Sequence, residues 1–379
     1  MVLNDICEFI VDCPHTTAPD EGAGYPLIRT PNIGKGRLDL NGVHRVSEKV
    51  YLQRIQRGMP QDDDLIFARE APAGNVAIVK NGEKVCLGQR TVLLRPDKNK
   101  VCPDYLVYYI LAPEQQYKLL GTANGATVAH VNLPVIRKMS VDLPSLEKQR
   151  KIADILSAYD DLIENNRKQI KLLEEAAQRL YKEWFVDLRF PGYEDTPIVD
   201  GVPEGWAFGE LGDVAVFRRG KIITKAQVQD GNVPVVAGGL EPAYYHNKAN
   251  TVAPVITVSG SGANAGFTRL YNEDVFASDC SFVDSETTPY LFFVYCYLKA
   301  NKSGLDSLQK GSAQPHVYPK DLNAMKLKVP SDKYLNHFCR FVAPLFEKIK
   351  VLQREISIST EARDRLLPKL MSGEVEVCG

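Results

Sequence analysis

No Pro-Pro dipeptide occurs anywhere in the 379 residues, which excludes the Asn/Asp-Pro-Pro-aromatic loop of amino-methyltransferases. No lysine has an acidic residue two positions before it, so the carboxylate-x-Lys signature of metal-dependent nucleases is missing. No G-x-x-x-x-G-K-[ST] loop is present for a nucleoside triphosphate. The six histidines form no HExxH, and the eight cysteines no CxxC pair, so no zinc ligand set is predicted. Scattered thiols of this kind read as reduced, in a cytoplasmic setting. Long apolar runs are lacking too. The longest, Tyr290 to Leu298, falls far short of the roughly 20 residues of a membrane span, and the start of the sequence carries no signal-peptide pattern. Charge of one sign is also missing: 46 Lys and Arg stand against 47 Asp and Glu. Nucleic-acid binders are usually clearly basic, so a nucleic-acid role would need a local basic face.

Two weak motifs remain. Gly260-Ser-Gly-Ala-Asn-Ala-Gly266 has its third glycine one residue late for a dinucleotide fingerprint and reads better as a turn between strands. Asp62-Asp-Asp64 reads as a solvated turn before a strand, ahead of a cation site. No catalytic constellation emerges.

What is present is a repeat. Gly125-Ala-Thr-Val-Ala-His130-Val131 aligns with Gly311-Ser-Ala-Gln-Pro-His316-Val317 at an offset of 186 residues. The same offset pairs Met139 with Met325, Pro144 with Pro330, Ile163 with Ile349 and Leu180 with Leu366. Upstream it widens: Glu83-Lys-Val85 matches Glu273-Asp-Val275, and Leu3-Asn-Asp5-Ile6 matches Leu211-Gly-Asp213-Val214. One unit is written twice, and the first copy is longer in its loops.

Each copy opens strand-led, in residues 1–144 and 203–330. Asp64–Ala68, Asn75–Val79, Arg90–Leu94 and Pro254–Val258 are short apolar runs bounded by Gly and Pro, as strands are. Tyr105 to Leu120 and Pro289 to Lys299 read as helices. Each copy then turns helical, in 145–190 and 331–379. Ser145 is placed to cap a helix from Leu146. A stripe follows through Ile152, Ile155, Tyr159, Leu162, Ile170, Leu173, Ala177, Leu180 and Trp184, with a stutter at Asn166. The second stripe is Phe338, Phe341, Leu345, Ile349, Leu352, Ile356, Leu366 and Leu370, with Pro344 and Pro368 as candidate bends or ends. An uninterrupted helix from Leu146 to Phe185 would run about 60 Å. Asn166 either faces an apolar partner and fixes register or is merely solvated. Residues 191–202 are Pro-, Gly- and acid-rich, a linker. The predicted class is α+β: two mixed, strand-led domains and two long antiparallel coiled-coil helices, in a pseudo-two-fold repeat.

Several segments resemble the target-recognition domains of type I restriction-modification specificity subunits. They are Asp64-Leu-Ile-Phe-Ala-Arg69-Glu-Ala-Pro-Ala-Gly74-Asn-Val-Ala, the segment from Gly311 to His316 with Leu327-Lys-Val-Pro330 after it, and Val202-Pro-Glu-Gly-Trp206 through Leu211-Gly-Asp213-Val. The resemblance spans the whole chain; one departure is the missing Pro-x-Gly-Trp lead-in before Leu3. It implies a non-catalytic reader of double-stranded DNA, each domain taking one half of an asymmetric bipartite site and the helices setting the spacing. It also implies methyltransferase subunits that bring S-adenosylmethionine, and a motor-nuclease subunit for restriction. The other reading is a duplicated coiled-coil scaffold that binds proteins and never touches DNA.

Phosphate binding calls for Arg or Lys, and base reading for Arg on guanine or Asn and Gln on adenine. The DNA-contact candidates in the first domain are Arg29, Lys35, Arg37, Arg69, Asn75, Gln89, Arg90 and His130. In the second they are Arg218, Arg219, Lys221, Ser259, Ser261, Asn264, Lys310, Gln314 and His316. Each is also open to a surface or structural role, and the repeat-related His130 and His316 are equally open to stabilising a shared turn. By region, residues 1–145 hold 17 basic and 16 acidic residues, and 191–331 hold 12 and 15. Neither domain is basic overall, so weak intrinsic DNA affinity is expected of the chain alone.

Overall fold

The computed structural model describes residues 1–80, 82–121, 130–311 and 315–377. It divides into two compact units, residues 1–166 with 355–379, and residues 167–354.

In the first unit a five-stranded sheet has the order β1 (Cys7–Asp12), β8 (Thr91–Pro96), β5 (Leu65–Ala68), β6 (Val76–Ile78), β3 (Gly36–Arg37). All its pairs are antiparallel except β3 with β6. A smaller sheet holds β4 (Arg45–Val46), β2 (Tyr25–Ile28) and β7 (Cys86–Leu87), with α1 (Glu48–Arg54) beside it. The continuous apolar run Leu65-Ile-Phe-Ala68 forms a strand buried on both faces: Leu65 and Phe67 enter one core, Ile66 and Ala68 another. The region read as one helix, Tyr105 to Leu120, is two: α2 (Pro103–Leu111) and α3 (Pro113–Gly121). Pro113 drives the preceding Ala112 out of helical conformation, with ψ at 140°. α4 (Leu133–Arg137) and the long α5 (Leu146–Tyr181) follow. Ser145 Oγ accepts a long 3.4 Å bond from Lys148 N at the start of α5. After Tyr181 the chain makes one wide π turn, Lys182–Val186.

The second unit contains a hairpin of β9 (Ile198–Val199) and β10 (Val202–Pro203), and pairs β11 (Ala207–Glu210) with β19 (Lys326–Val329). Its main sheet runs β12 (Arg218–Arg219), β18 (Cys280–Asp284), β15 (Val255–Ser259), β16 (Thr268–Tyr271). A three-stranded sheet holds β14 (Tyr244–His246), β13 (Val233–Val236) and β17 (Phe276–Ala277). The apolar stretch at 290–298 lies in α6 (Leu291–Ala300), a buried core helix. Then come α7 (Lys302–Ser307), α8 (Pro319–Asn323) and the long α9 (Asp332–Ser372). Gly260–Gly266 is a tight turn between β15 and β16, with Gly262 and Gly266 at φ of +80° and +85°.

The repeat is visible bond by bond. Leu3 N donates to Met139 O, and Leu211 N to Met325 O, each at 2.8 Å. Asp5 accepts from Val2 N, and Asp213 from Glu210 N. β7 pairs in parallel with β2 as β17 does with β13.

Three further expectations change. Pro344 and Pro368 neither bend the chain out of helix nor end it, because α9 continues through both to Ser372; Pro344 lies on the exposed side. Leu162 and Phe341, assigned to the apolar stripes, are exposed. In the first unit the buried face of α5 instead runs through Ile152, Leu156, Asp160 and Ile163. It turns because α5 serves two neighbours: Ile152 and Leu156 share a core with Leu370 of α9 and with α2, and Asp160 meets Tyr108 of α2. Asn166 faces Glu355, not an apolar partner, and is buried with its Nδ2 3.0 Å from Oε2.

The acidic triplet 62–64 is committed internally. Asp64 pairs with Arg95, Asp63 with Lys80 and Lys98, and Asp62 accepts from Gly82 N. No group of residues suited to hold a metal occurs among the described residues.

Candidate nucleic-acid interface

Six of the seventeen candidate side chains, Arg69, Arg90, His130, Arg219, Ser261 and His316, fall at two corners where β5 and β15 end. In the first unit three main-chain bonds build a corner: Cys13 N to Thr91 O (3.1 Å), Arg69 N to Arg90 O (2.9 Å) and Val131 N to Arg69 O (3.0 Å). The second unit makes the same three. They are Gly220 N to Cys280 O (2.8 Å), Gly260 N to Asp279 O (3.1 Å) and Val317 N to Gly260 O (3.1 Å). The bonds align Asp12 with Arg219, Arg69 with Gly260, Glu70 with Ser261, Arg90 with Asp279 and His130 with His316. Gln89 is then one residue extra in the first unit, and Arg90 beside it takes a left-handed φ of +64°.

The side chains on this shared frame differ in sign. In the first unit Arg69 is nearly enclosed and held through all three of its nitrogens: Nη1 to Asp12 Oδ2 (2.7 Å), Nε to Val131 O (3.0 Å), Nη2 to His130 Nε2 (2.8 Å). Arginine only donates, so His130 Nε2 accepts and the ring proton sits on Nδ1, 2.6 Å from Glu70 Oε1. The other Glu70 oxygen takes Arg90 at 2.8 Å. His15 lies 3.4 Å from Asp12. The chain His15–Asp12–Arg69–His130–Glu70–Arg90 thus ends on a guanidinium that is 62% exposed.

In the second unit the acid and base have changed places. Arg219, where the first unit has Asp12, bonds to Asp279, where the first has Arg90, and Asp279 also takes the Ser261 hydroxyl. Gly260 leaves the space that the guanidinium fills: a Cβ there would overlap Arg219. His316 stacks on Tyr318 with ring centroids 6.0 Å apart.

The remaining candidates spread out. Arg37 turns to α5, 2.8 Å from Asp161 and 3.9 Å from Asp104. Arg29 is half-buried, with Nε unpartnered. Lys35 is exposed beside a cavity of about 170 Å³ next to Tyr108 and Arg363. Asn75 Nδ2 donates to Ile33 O (2.9 Å) and Gln89 Nε2 to His15 O (3.2 Å). Arg218 meets Asp284 and Thr287 and lies over the Phe282 ring. Ser259 is buried and, like Asn264, bonds to Gly238 O. Lys310 pairs with Asp321 at 2.8 Å, and Lys221 is exposed. Gln314 lies outside the described residues. Asp12, Glu70 and Asp279 were missed in the sequence, since a search for cations and amides passes over the acids that orient them, and so was His15, which reaches the corner only through Asp12. The available signal was the repeat, once the single-residue insertion is allowed for.

A family model described as the type I restriction modification DNA specificity domain matches residues 1–175 and again residues 203–355. The chain belongs to this type I restriction-modification specificity family. Among similar members is the type I restriction enzyme MjaIX specificity subunit of Methanocaldococcus jannaschii, 27% identical, with the match covering 89% of this chain and 83% of that one. The type I restriction enzyme HindI specificity subunit of Haemophilus influenzae is 21% identical over 82% of this chain and 86% of its own. A crystal structure of a type I restriction-modification S subunit from M. genitalium shares the fold, with a TM-score of 0.54 at 18% identity, over 98% of this chain and 95% of that one. Both halves of this specificity chain therefore carry the same domain, and the two corners described above are one corner in two versions.

Proposed function

We propose that this chain is the DNA-reading adaptor of a type I restriction-modification complex. Each recognition domain reads one half of an asymmetric, interrupted site in double-stranded DNA. The observation that carries this reading is the pair of corners, with the same three main-chain bonds and opposite arrangements of charge. A reader whose two domains were interchangeable would recognise matching half-sites; these side chains offer different donors and acceptors to base edges.

In this reading residues 1–144 and 203–330 are the recognition domains, 191–202 the linker, and 145–190 and 331–379 the spacer helices. The helices pair antiparallel as a coiled coil about a pseudo-two-fold axis, set the distance and rotational phase between half-sites, and dock methyltransferase subunits. One turn of DNA is about 34–36 Å, so phase matters to any bipartite reader. The methyltransferase subunits carry S-adenosylmethionine, a motor-nuclease subunit joins for restriction, and the complex works in the cytoplasm. The chain itself contributes recognition and no catalysis. No helix among the described residues is long and apolar enough to cross a membrane. The match of both halves to a DNA specificity domain disfavours a scaffold that never touches DNA.

Methylome sequencing of cells with and without the chain tests the proposal. The expected difference is methylation at one motif with two unlike specific parts around a fixed gap. A palindromic motif, one continuous motif, or no difference overturns it.

A further inference from the structure

The two corners place their exposed guanidinium on different strands. In the first unit it is Arg90, immediately before β8; in the second it is Arg219, on β12, which pairs with β18, the counterpart of β8. Each is held by one carboxylate that is itself held. Glu70 is fixed by His130, and Asp279 by Ser261. Each corner is also shaped to present its arginine. Arg90 adopts the left-handed backbone that a side chain of its kind rarely takes, at the point where the extra residue Gln89 enters. Gly260 gives up its side chain to make room for Arg219. A phosphate clamp tolerates a mobile cation, whereas the bidentate pairing of a guanidinium with a base edge requires a fixed plane.

We propose that Arg90 and Arg219 are the base-reading arginines of the two domains. Each donates to the O6 and N7 acceptors of one guanine in the major groove, and the guanine sits at a different place in each half-site because its reader has moved one strand across. The inference rests on the DNA-reading function proposed above. It assigns Arg69 a positioning role, since three partners occupy its guanidinium.

The test is selection of bound sequences from randomised duplex DNA by the full chain in complex with its methyltransferase subunit, for the wild type, Arg90→Ala, Arg90→Lys and Arg219→Ala. Arg90→Ala should lose guanine preference at one position of one half-site, by about 5- to 150-fold, and leave the other half unchanged. Arg90→Lys should lose most of the same preference while keeping the salt dependence of binding, because lysine keeps the charge without the fork. Arg219→Ala should act the same way in the other half-site only. Equal weakening on all sequences with an unchanged motif would make these residues phosphate contacts and overturn the inference. So would a motif that no variant alters. A wild-type complex that selects no bipartite sequence overturns the DNA-reading function itself, and the inference with it. Thermal unfolding of each variant separates lost reading from lost folding, and Arg90→Lys keeps the test valid at that corner should Arg90→Ala unfold.

Discussion

Arg363 of α9 places its guanidinium on the carboxylate of Asp160 of α5, with 12% and 3% of the two side chains exposed. The other Asp160 oxygen accepts from the Tyr108 hydroxyl at 2.6 Å. Burial, and then the charge of Asp160 beside it, push the Tyr108 phenol far above its ordinary range, so it stays a donor. At the repeat offset of 186 the second unit has Phe346 for Asp160 and Ala177 for Arg363, and both lie in its core. One frame has been filled with ions in one unit and hydrocarbon in the other.

Removing one member of the ionic version should therefore be costly and removing both much less so. Asp160→Ala leaves Arg363 buried without its main partner and should lower unfolding free energy by about 3–5 kcal/mol. Asp160→Leu combined with Arg363→Met should recover most of that loss, as the apolar solution of the second unit implies. Urea denaturation of the two variants checks this; equal destabilisation would show that the pair contributes little beyond packing.

Arg69 and Arg90 should respond differently to truncation although they belong to one chain of contacts, Arg69 bonding to His130 and Arg90 to Glu70. Arg69→Ala strips Asp12 and His130 of a common donor and should cost about 2–4 kcal/mol by thermal unfolding. Arg90→Ala removes a mostly exposed pair and should cost less than about 1 kcal/mol.

Two glycines of the second corner make a matched contrast. Gly260→Ala meets the flexible tip of Arg219, which can swing aside, so the fold should persist while guanine preference in that half-site falls as it does in Arg219→Ala. Gly220→Ala meets the main-chain carbonyls of Ala277 and Ser278 instead, with Ala277 O 2.6 Å from the new atom. They cannot move without breaking the strand, and this variant should unfold at visibly lower temperature. Differential scanning calorimetry beside sequence selection distinguishes the two.

Alkali should unfold the chain early. Burial pushes Cys7 and Cys280 up to about 12, and Cys86 and Cys339 up to about 11, from 9.0. Burial likewise raises Tyr105 and Tyr297 to about 12 from 10.0. Above pH 9 the unfolded chain releases these protons while the folded chain retains them, so the folded state binds more protons and stability falls as pH rises. The loss should accumulate from about pH 9 to 12. Urea midpoints at pH 8 and 10.5 test it; an unchanged midpoint would show that these groups ionise equally in both states.

The sequence disclosed the strand-led halves, the long helices and the repeat, because hydrophobic runs, Gly–Pro boundaries and the 186-residue offset are local signals. It misplaced the helix stripes at Leu162 and Phe341 because a side chain's neighbour depends on which of two packing partners the helix faces. It misjudged Pro344 because a helix proline on an exposed side removes a bond whose carbonyl water can satisfy. At the corners it named the three arginines and the repeat-related His130 and His316, but neither His15 nor the acids that orient the guanidiniums. Asp12 and Asp279 look like ordinary surface carboxylates until the strands bring each beside an arginine far away in the chain, 57 and 60 residues off.

Each corner owes its shape to main-chain bonds alone, and none of the three passes through a side chain. Outside the enclosed Arg69 and the tightly approached Gly220, side chains there vary on an unchanged frame: acid replaces base, serine replaces glutamate, and even an inserted residue is absorbed by one left-handed turn. A lineage under pressure to abandon its old DNA word could rewrite one recognition surface in a few mutational steps, with the main-chain frame beneath it and the other half of the chain left as they were.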